Sequence, residues 1–270
     1  MTDAHPAKPF DANAWFGAWP FGSGETVPLD KVIADLRDAG IGGAVVSPLR
    51  AVLAAEPSGA NDGLIQAAAA LPQSDFDLRL APVIDPSQAD WEQLLTQAID
   101  AAGDGLGGVR IIPAYHAFAL DEPRVDALAE RTTALGLPLI VQVRMLDERA
   151  HHPRMVVPPV SVAAIASLAR RHPALRIVAS GIFFGQIATI RETPNVAIEL
   201  SSVESGDTLP DVLALLPPER VLLGTHAPLY VPHAALAKLS GEGIGPETTA
   251  AIGGGTAQDI FRRQGSGAVP

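Results

Sequence analysis

Short apolar runs alternate along the chain with longer segments in which apolar residues recur at helical spacing. Such an alternation favours parallel strands joined by crossover helices. The predicted strands span residues 10–16, 43–48, 78–85, 108–115, 137–144, 175–181, 196–202 and 221–226. The predicted helices span residues 29–39, 63–71, 87–102, 122–135, 160–171, 186–192, 209–216 and 233–239. Eight strands and eight helices predict an α/β fold, a single-domain (β/α)8 TIM barrel.

Length and composition agree with this prediction. The chain has 270 residues, and a barrel of this type typically needs about 250. Apolar residues make up 47% of the sequence, which is enough for a large core without disulfides. A further helical pattern at residues 256–263 closes the domain, which we expect to span residues 1–270 with flexible tails at residues 1–9 and 265–270.

The charge and cysteine content exclude several function classes. The formal net charge is −11, and an acidic surface disfavours nucleic acids and anionic membranes as partners. There is no cysteine, which excludes disulfides, thiolate zinc sites and cysteine nucleophiles. The N-terminal segment has no apolar signal-peptide core, and no long uncharged apolar run follows. We therefore expect a cytoplasmic protein whose partner is a small-molecule substrate.

Polar residues lie on the predicted inner faces of several strands. Alternate side chains of a barrel strand point inward, so Ile140, Gln142 and Arg144 share an inner face. Buried polar groups are costly unless something requires them, and barrel active sites lie at the carboxyl ends of the strands. Residues near those ends are Asn13, Asp85, His116, Arg144, Ser180, Ser201 and His226; Asp11, Trp15, Arg110 and Glu199 share their inner faces.

Five segments carry a resemblance to a known family. They are Asp11-Ala-Asn-Ala-Trp15, residues 175–181, residues 195–201, Glu219-Arg-Val-Leu-Leu-Gly-Thr-His-Ala-Pro228 and Gly254-Gly-Thr-Ala-Gln-Asp-Ile-Phe261. The chain resembles the amidohydrolase-related family, in the branch that contains pyrone-dicarboxylate lactonase-like hydrolases and carboxymuconate-semialdehyde decarboxylase-like enzymes. The resemblance covers nearly the whole chain and implies the same barrel fold.

The metal-ligand motifs of that family are degenerate in this sequence. Asn13 and Trp15 stand where the family often has two histidines, and Ser180 ends a strand that often ends in a histidine. His226 stands where the family has an aspartate. A catalytic zinc site needs three good protein ligands and an open position, which asparagine and tryptophan do not supply. The resemblance therefore implies no cofactor at the usual centre, and a divalent metal on other ligands stays open.

The candidate roles follow from side-chain chemistry. Histidine titrates near neutrality, so His226 could activate water, with Glu199 or Asp11 orienting it. Arg144 could bind a substrate carboxylate or a developing oxyanion, although an ion pair with Asp147 or Glu148 is an even alternative. The catalytic candidates are His226, Glu199 and Asp11. The substrate-binding candidates are Arg144, Gln142, Asn13, Trp15, His116, His151, Ser180 and Ser201, and no residue is assigned as a metal ligand.

Three functions are compatible with these residues. The first is an amidohydrolase-like hydrolase of a small, carboxylated ester, lactone or amide that works without the usual metal centre. The second is a metal-dependent hydrolase or decarboxylase with non-standard ligands, drawn from residues such as His116, His151, His152 and His226. The third is a catalytically inactive barrel that acts as a subunit beside a related protein, because a fold alone does not confer activity. A homo-oligomer is also compatible with the sequence.

Overall fold

The structure is a computed structural model that describes residues 8–21, 24–152 and 154–262. Its strands are β1 Phe10–Ala18, β2 Thr26–Val27, β3 Gly43–Pro48, β4 Asp77–Leu80, β5 Val109–Ile111, β6 Leu139–Gln142, β7 Ile177–Ser180, β8 Val196–Glu199 and β9 Val221–Leu222. Its helices are α1 Leu29–Asp38, α2 Ser58–Ala69, α3 Trp91–Ala102, α4 Pro113–His116, α5 Pro123–Ala134, α6 Val162–Arg171, α7 Thr208–Leu213, α8 Pro232–Ala237, α9 Pro246–Ala250 and α10 Thr256–Phe261. The strands β1 and β3 to β9 are the eight that the sequence predicts.

These eight strands form a closed parallel barrel. The ladders run β1-β3-β4 and β5-β6-β7-β8-β9, and the short β2 adds an antiparallel hairpin to the end of β1. Parallel bridges between Leu80 and Leu106 and between Val83 and Arg110 join β4 to β5. The backbone amide of Ala12 donates to the carbonyl of Leu223 at 2.8 Å, which joins β9 back to β1. The predicted (β/α)8 fold is therefore confirmed.

Two apolar layers stabilise the barrel, one outside the strands and one inside. On β6 the residues Leu139 and Val141 pack outward against the helices, whereas Ile140 packs inward, as the alternation predicts. The inner layer also contains the side chains of Phe10, Ala12, Val45, Ala81, Val178, Ala197 and Leu222, together with Ala257 and Phe261 of α10. Because this layer fills the barrel away from the carboxyl ends of the strands, an interior site is confined to those carboxyl ends.

The structure corrects several local predictions. The predicted strand at residues 108–115 ends early because Pro113 starts the short helix α4, so His116 does not lie on an inner strand face. The predicted helix at residues 186–192 is a 3-10 helix, Phe184–Ile190. The register of β1 shifts between Asp11 and Ala14, which changes the face on which later residues lie.

The predicted tails fall mostly outside the described residues. Of the segments 1–9 and 265–270, only residues 8 and 9 are described, and the carbonyl of Pro9 accepts a hydrogen bond from the amide of Gly42 at 2.8 Å. Within the described part of the chain, no helix combines the length and the apolar character that crossing a bilayer requires.

Candidate functional site

A network of buried polar side chains fills the barrel interior above the inner apolar layer. Seven of the residues that the sequence assigned to a site lie deep inside it, namely Asp11, Asn13, Trp15, Gln142, Ser180, Glu199 and His226. Their side chains come from β1, β6, β7, β8 and the segment after β9. Each has at most 1% of its surface exposed, so polar partners must come from within the protein.

Glu199 at the end of β8 is the acceptor on which most of this network converges. Its Oε1 accepts hydrogen bonds from Asn13 Nδ2 at 3.1 Å, the Ser180 hydroxyl at 3.1 Å and the Gly181 amide at 2.7 Å. The Ser201 hydroxyl also donates to Oε1 at 2.9 Å, and the Ser201 amide donates to Oε2 at 2.6 Å. Five donors therefore satisfy the hydrogen-bonding capacity of this buried carboxylate.

His226 is held as a neutral ring with a defined tautomer. Its Nε2 lies 2.6 Å from the carbonyl oxygen of Met145, which can only accept, so Nε2 carries the proton. Its Nδ1 accepts from Trp15 Nε1 at 3.1 Å and lies 3.0 Å from Asn13 Nδ2. Burial lowers the pKa of His226 to about 4, against the opposing charge of Glu199. Both ring nitrogens are therefore engaged, and neither is directed at solvent.

Asp11 at the start of β1 binds the turn that carries His226. Its Oδ1 accepts from the Thr225 amide at 2.8 Å and from the Asn13 amide at 2.9 Å, and its Oδ2 accepts from the Thr225 hydroxyl. Burial raises the pKa of Asp11 to about 6, although the hydrogen bonds to Thr225 and Asn13 oppose this shift. Asp11 thus fixes the end of β9 against β1.

Arg110 on β5 is a buried cation at the centre of the network. Its Nε donates to the Ser47 hydroxyl at 2.8 Å, and its Nη1 donates to Asn13 Oδ1 at 3.0 Å and to Gln142 Oε1. The guanidinium carbon lies 4.3 Å from the ring centroid of Trp15, a cation–π distance. Burial lowers the pKa of Arg110 to about 9, so the side chain is still charged at neutral pH.

Arg144 lies above this network and has different partners. Its Nη1 donates to the carbonyl of Gly181 at 3.0 Å and to Gln186 Oε1 at 3.1 Å, and its guanidinium carbon lies 3.5 Å from the ring centroid of Phe183. Its Nε is 3.8 Å from a carboxylate oxygen of Glu148, the ion pair that the sequence offered as an alternative. Burial lowers the pKa of Arg144.

Two predicted substrate-binding histidines lie outside the network. The Nε2 of His116 is 2.9 Å from the carbonyl of Ala51, in the turn after β3. The Nδ1 of His151 accepts from the amide of Val157 within the loop after β6. Their roles in substrate binding stay predictions, and the structure places neither ring beside Glu199 or His226.

A cavity of about 250 Å³ borders the network at the mouth of the barrel. Ser201 and Thr225 line it, and their hydroxyls donate inward to Glu199 and Asp11. The other lining residues are Asp147, Phe183, Ser202, Glu204, Tyr230, Val231, Ala234, Ala235 and Lys238. A larger cavity of about 540 Å³ lies beside Leu49, Arg50 and Glu56, away from both buried carboxylates. We therefore regard the smaller cavity as the candidate substrate site.

Sequence reasoning missed part of this arrangement. Ser47 and Thr225 received no role, although each lies near the end of a predicted strand. Arg110 was placed on an inner face but received no role. Lys238, which lines the cavity from the segment after α8, has no sequence signal that distinguishes it from a surface lysine.

The sequence matches one known protein family over nearly its whole length. The family model described as amidohydrolase matches residues 2–263. The chain belongs to the amidohydrolase family. No curated protein matches it in sequence. The family resemblance seen in the sequence is thereby confirmed over nearly the whole chain.

Solved structures with the same fold are distant in sequence. A 5-carboxyvanillate decarboxylase from Sphingomonas paucimobilis is 17% identical with a TM-score of 0.71, covering 95% of this chain and 99% of that chain. A 2,6-dihydroxybenzoate decarboxylase solved with 2,6-dihydroxybenzoate is 17% identical with a TM-score of 0.73, covering 94% and 98%. A dihydroxybenzoic acid decarboxylase from a Polaromonas species, solved with manganese and 2-nitroresorcinol, is 17% identical with a TM-score of 0.66, covering 94% and 96%. These likenesses show that the amidohydrolase-family chain has their fold.

The residues at the usual metal centre do not fit a metal ion in this member of the family. The described residues contain no group of three or more histidine, cysteine, aspartate or glutamate side chains that could hold one. Lone pairs that a metal would need are directed at N–H groups: Nδ1 of His226 accepts from Trp15, and Oε1 of Glu199 accepts from Asn13. A catalytic metal needs three good protein ligands, and these donor atoms already have partners within the protein, so they do not fit one.

Proposed function

We propose that the chain is a hydrolase of the amidohydrolase type that acts without a metal on a small, carboxylated ester, lactone or amide. The observation that supports this proposal is the pair formed by Ser201 and Glu199. The Ser201 hydroxyl lies in the wall of the mouth cavity and donates to Glu199 Oε1 at 2.9 Å. A hydroxyl within hydrogen-bond reach of a carboxylate has the geometry of a nucleophile and its base.

The proposed reaction uses this pair in two steps. Ser201 Oγ bonds to the substrate carbonyl carbon while its proton moves to Glu199, and the leaving alcohol or amine takes that proton as its bond to the carbonyl breaks. Water then attacks the acyl carbon while it gives a proton to Glu199, the bond between the acyl carbon and Oγ breaks to release the carboxylic acid, and Glu199 returns the proton to Oγ. In this scheme His226, whose ring nitrogens are both engaged, positions Asn13 and through it Glu199. This replaces the direct activation of water by His226 that the sequence suggested.

The cavity favours a small anionic substrate. Lys238 lies on its wall, and its ammonium donates to the carbonyl oxygens of Leu200 at 2.9 Å and Ser201 at 3.1 Å. Its third partner is Glu204 at 2.7 Å, whose side chain is 75% exposed. A substrate carboxylate could take the place of this exposed carboxylate at the ammonium group. The cavity volume of about 250 Å³ restricts the substrate to a small molecule.

The test is a hydrolysis screen with protein purified in the presence of a chelator. Carboxylated lactones, esters and amides are the substrates, and intact-mass spectrometry detects an acyl group on the protein. Ser201→Ala should lose at least about 100-fold in rate, as expected for a nucleophile. Ser202→Ala is the matched control, because Ser202 lines the same cavity and no described hydrogen bond joins it to Glu199. Full activity of Ser201→Ala, or activity only after metal is added, would refute the proposal.

A second candidate function is a catalytically inactive barrel that works as a subunit beside a related protein. The saturation of the buried network favours it, because Glu199 accepts five hydrogen bonds and both nitrogens of His226 are engaged within the protein. Absence of turnover by the wild-type chain across the screen, with a stable stoichiometric complex with another barrel subunit, would support this candidate. Turnover that depends on Ser201 would exclude it.

Location and assembly are further proposals. We place the protein in the cytoplasm, as the sequence suggests, and cell fractionation tests this. We also propose either a homo-oligomer or a hetero-complex with a related subunit. Light scattering of the purified chain measures the mass of a homo-oligomer, and pull-down from the native host detects a second subunit. Nucleic acid and membranes stay excluded as proposed partners because of the acidic net charge of −11.

A further inference from the structure

The barrel centre contains two buried carboxylates and a buried cation. Asp11, Glu199 and Arg110 all have 0% of their surface exposed, and His226 beside them is neutral. A buried carboxylate without a compensating charge is strongly destabilising. The charges of Glu199 and Asp11 favour the protonated form of Arg110 and oppose the effect of its burial. The guanidinium therefore compensates the two carboxylates.

The atoms that hold Arg110 are of the kind that hold hard metal ions. Ser47 Oγ, Asn13 Oδ1 and Gln142 Oε1 all accept hydrogen bonds from its guanidinium. These three oxygens come from β3, β1 and β6, so they surround the guanidinium from different sides of the barrel. Neutral oxygen atoms with a nearby carboxylate are typical ligands of magnesium or manganese.

Arg110 also touches the positions at which the family pattern has histidines. Its Nη1 bonds Asn13 Oδ1 at 3.0 Å, and its guanidinium stacks on Trp15 at 4.3 Å. A neutral histidine at either position would leave a lone pair for a metal, whereas Asn13 supplies an acceptor oxygen and Trp15 a ring face for the guanidinium. Asn13 and Trp15, which stand where the family pattern has histidines, are therefore the residues that bind Arg110.

We infer that the guanidinium of Arg110 is a fixed positive charge that serves in place of a metal ion at the centre of this barrel. It holds Asn13 with its amide nitrogen toward Glu199 and His226, and so acts as a positioning residue. Its Nη2 has no described hydrogen-bond partner, but Arg110 is fully buried and does not line the mouth cavity, so it stabilises the network without binding substrate. This inference is independent of the proposed hydrolysis and holds for an active or an inactive barrel.

Substitutions of Arg110 test whether its positive charge stabilises the protein. Arg110→Ala should lower the melting temperature by roughly 10 °C, because it leaves two buried carboxylates uncompensated. Arg110→Lys should recover more than half of that loss, because it restores the charge without the planar fork. Arg220 is the matched control: it is buried, and its three guanidinium nitrogens donate only to backbone carbonyls of Val196, Arg191 and Ile190. Arg220→Lys should therefore recover little of the loss caused by Arg220→Ala.

Metal titration supplies an independent readout. Millimolar manganese should leave the melting temperature of the wild type unchanged and should raise that of Arg110→Ala, in which the oxygens of Ser47, Asn13 and Gln142 are free for an ion. A wild type that manganese stabilises would overturn the inference. So would an Arg110→Lys variant as unstable as Arg110→Ala, or an Arg110→Ala variant that manganese does not stabilise.

Discussion

The indole Nε1 of Trp15 donates a hydrogen bond to Nδ1 of His226 at 3.1 Å, and the two rings meet edge to face with centroids 5.9 Å apart. Both residues stand at positions where the family pattern has a metal ligand. The bond uses the lone pair that a histidine would offer to an ion. The side chains at these two positions therefore bind each other.

This pair predicts the protonation state of His226. We expect the neutral ring with the proton on Nε2 between about pH 5 and pH 8, because the carbonyl of Met145 accepts from Nε2 and burial lowers the pKa of the ring. Long-range nitrogen-15 NMR of the imidazole, assigned with His226→Gln, measures this directly. A ring protonated on Nδ1, or one charged at neutral pH, would contradict the assignment.

The buried groups also predict how stability depends on pH. The pKa of Asp11 is raised from 3.8 to about 6, so the folded state holds a proton that the unfolded state releases between these values. Stability from this group is present below pH 4 and is lost as the pH rises toward 6. Relative to the wild type, Asp11→Asn should therefore gain about 2 kcal/mol in the free energy of unfolding from about pH 4 to 6. Urea denaturation across this range measures the difference.

His226 has the opposite dependence and provides the control. Its pKa is lowered from 6.5 to about 4, so the unfolded state binds a proton that the folded state does not. Stability from this group therefore increases as the pH rises through this window, and His226→Gln should lose about 3 kcal/mol relative to the wild type from about pH 4 to 6.5. Two variants whose stability differences follow the same pH trend would show that at least one of these shifts has the wrong sign.

A glycine on the inner face predicts a steric requirement. A Cβ at Gly224 would lie 2.1 Å from Glu199 Oε2, which is too close for any side chain. Gly224→Ala should therefore displace Glu199 and destabilise the protein by roughly 2–4 kcal/mol. Gly63→Ala in α2 is the control, because a Cβ there meets no atom within 4 Å and alanine favours a helix. Equal unfolding free energies for the two variants would contradict the placement of Glu199.

Much of the fold follows from the alternation of strands and helices. The inner and outer positions of β6 were predictable because Leu139 and Val141 alternate with Ile140 and Gln142, and a barrel strand uses that alternation. The end of β5 was not predicted, because apolar residues continue through Ile112 while Pro113 already begins a helical turn. The pattern of apolar residues does not distinguish a strand from a short helix over so few residues.

The site was predictable only in part. The alternation of inward and outward side chains along the strands predicted that Asn13, Glu199 and His226 point into the barrel. In the structure, hydrogen bonds join Asn13 to Glu199 and to His226. The number of hydrogen bonds that Glu199 accepts could not be predicted, because it depends on the backbone amides of Gly181 and Ser201, whose directions are set by the turns after β7 and β8. A side chain at the correct depth can be a reactive group or a structural one, and only its partners distinguish the two.

We propose that the charge of Arg110 and the hydrogen bonds of Asn13 and Glu199 stabilise the barrel centre without a metal ion. The most direct measurement is elemental analysis by inductively coupled plasma mass spectrometry of protein purified without added metal or chelator, with the metal content expressed per chain. We predict far less than one ion per chain for every divalent metal, and no change after dialysis against manganese. About one tightly held ion per chain, lost from a variant in which Asp11 or Glu199 is replaced, would contradict the account.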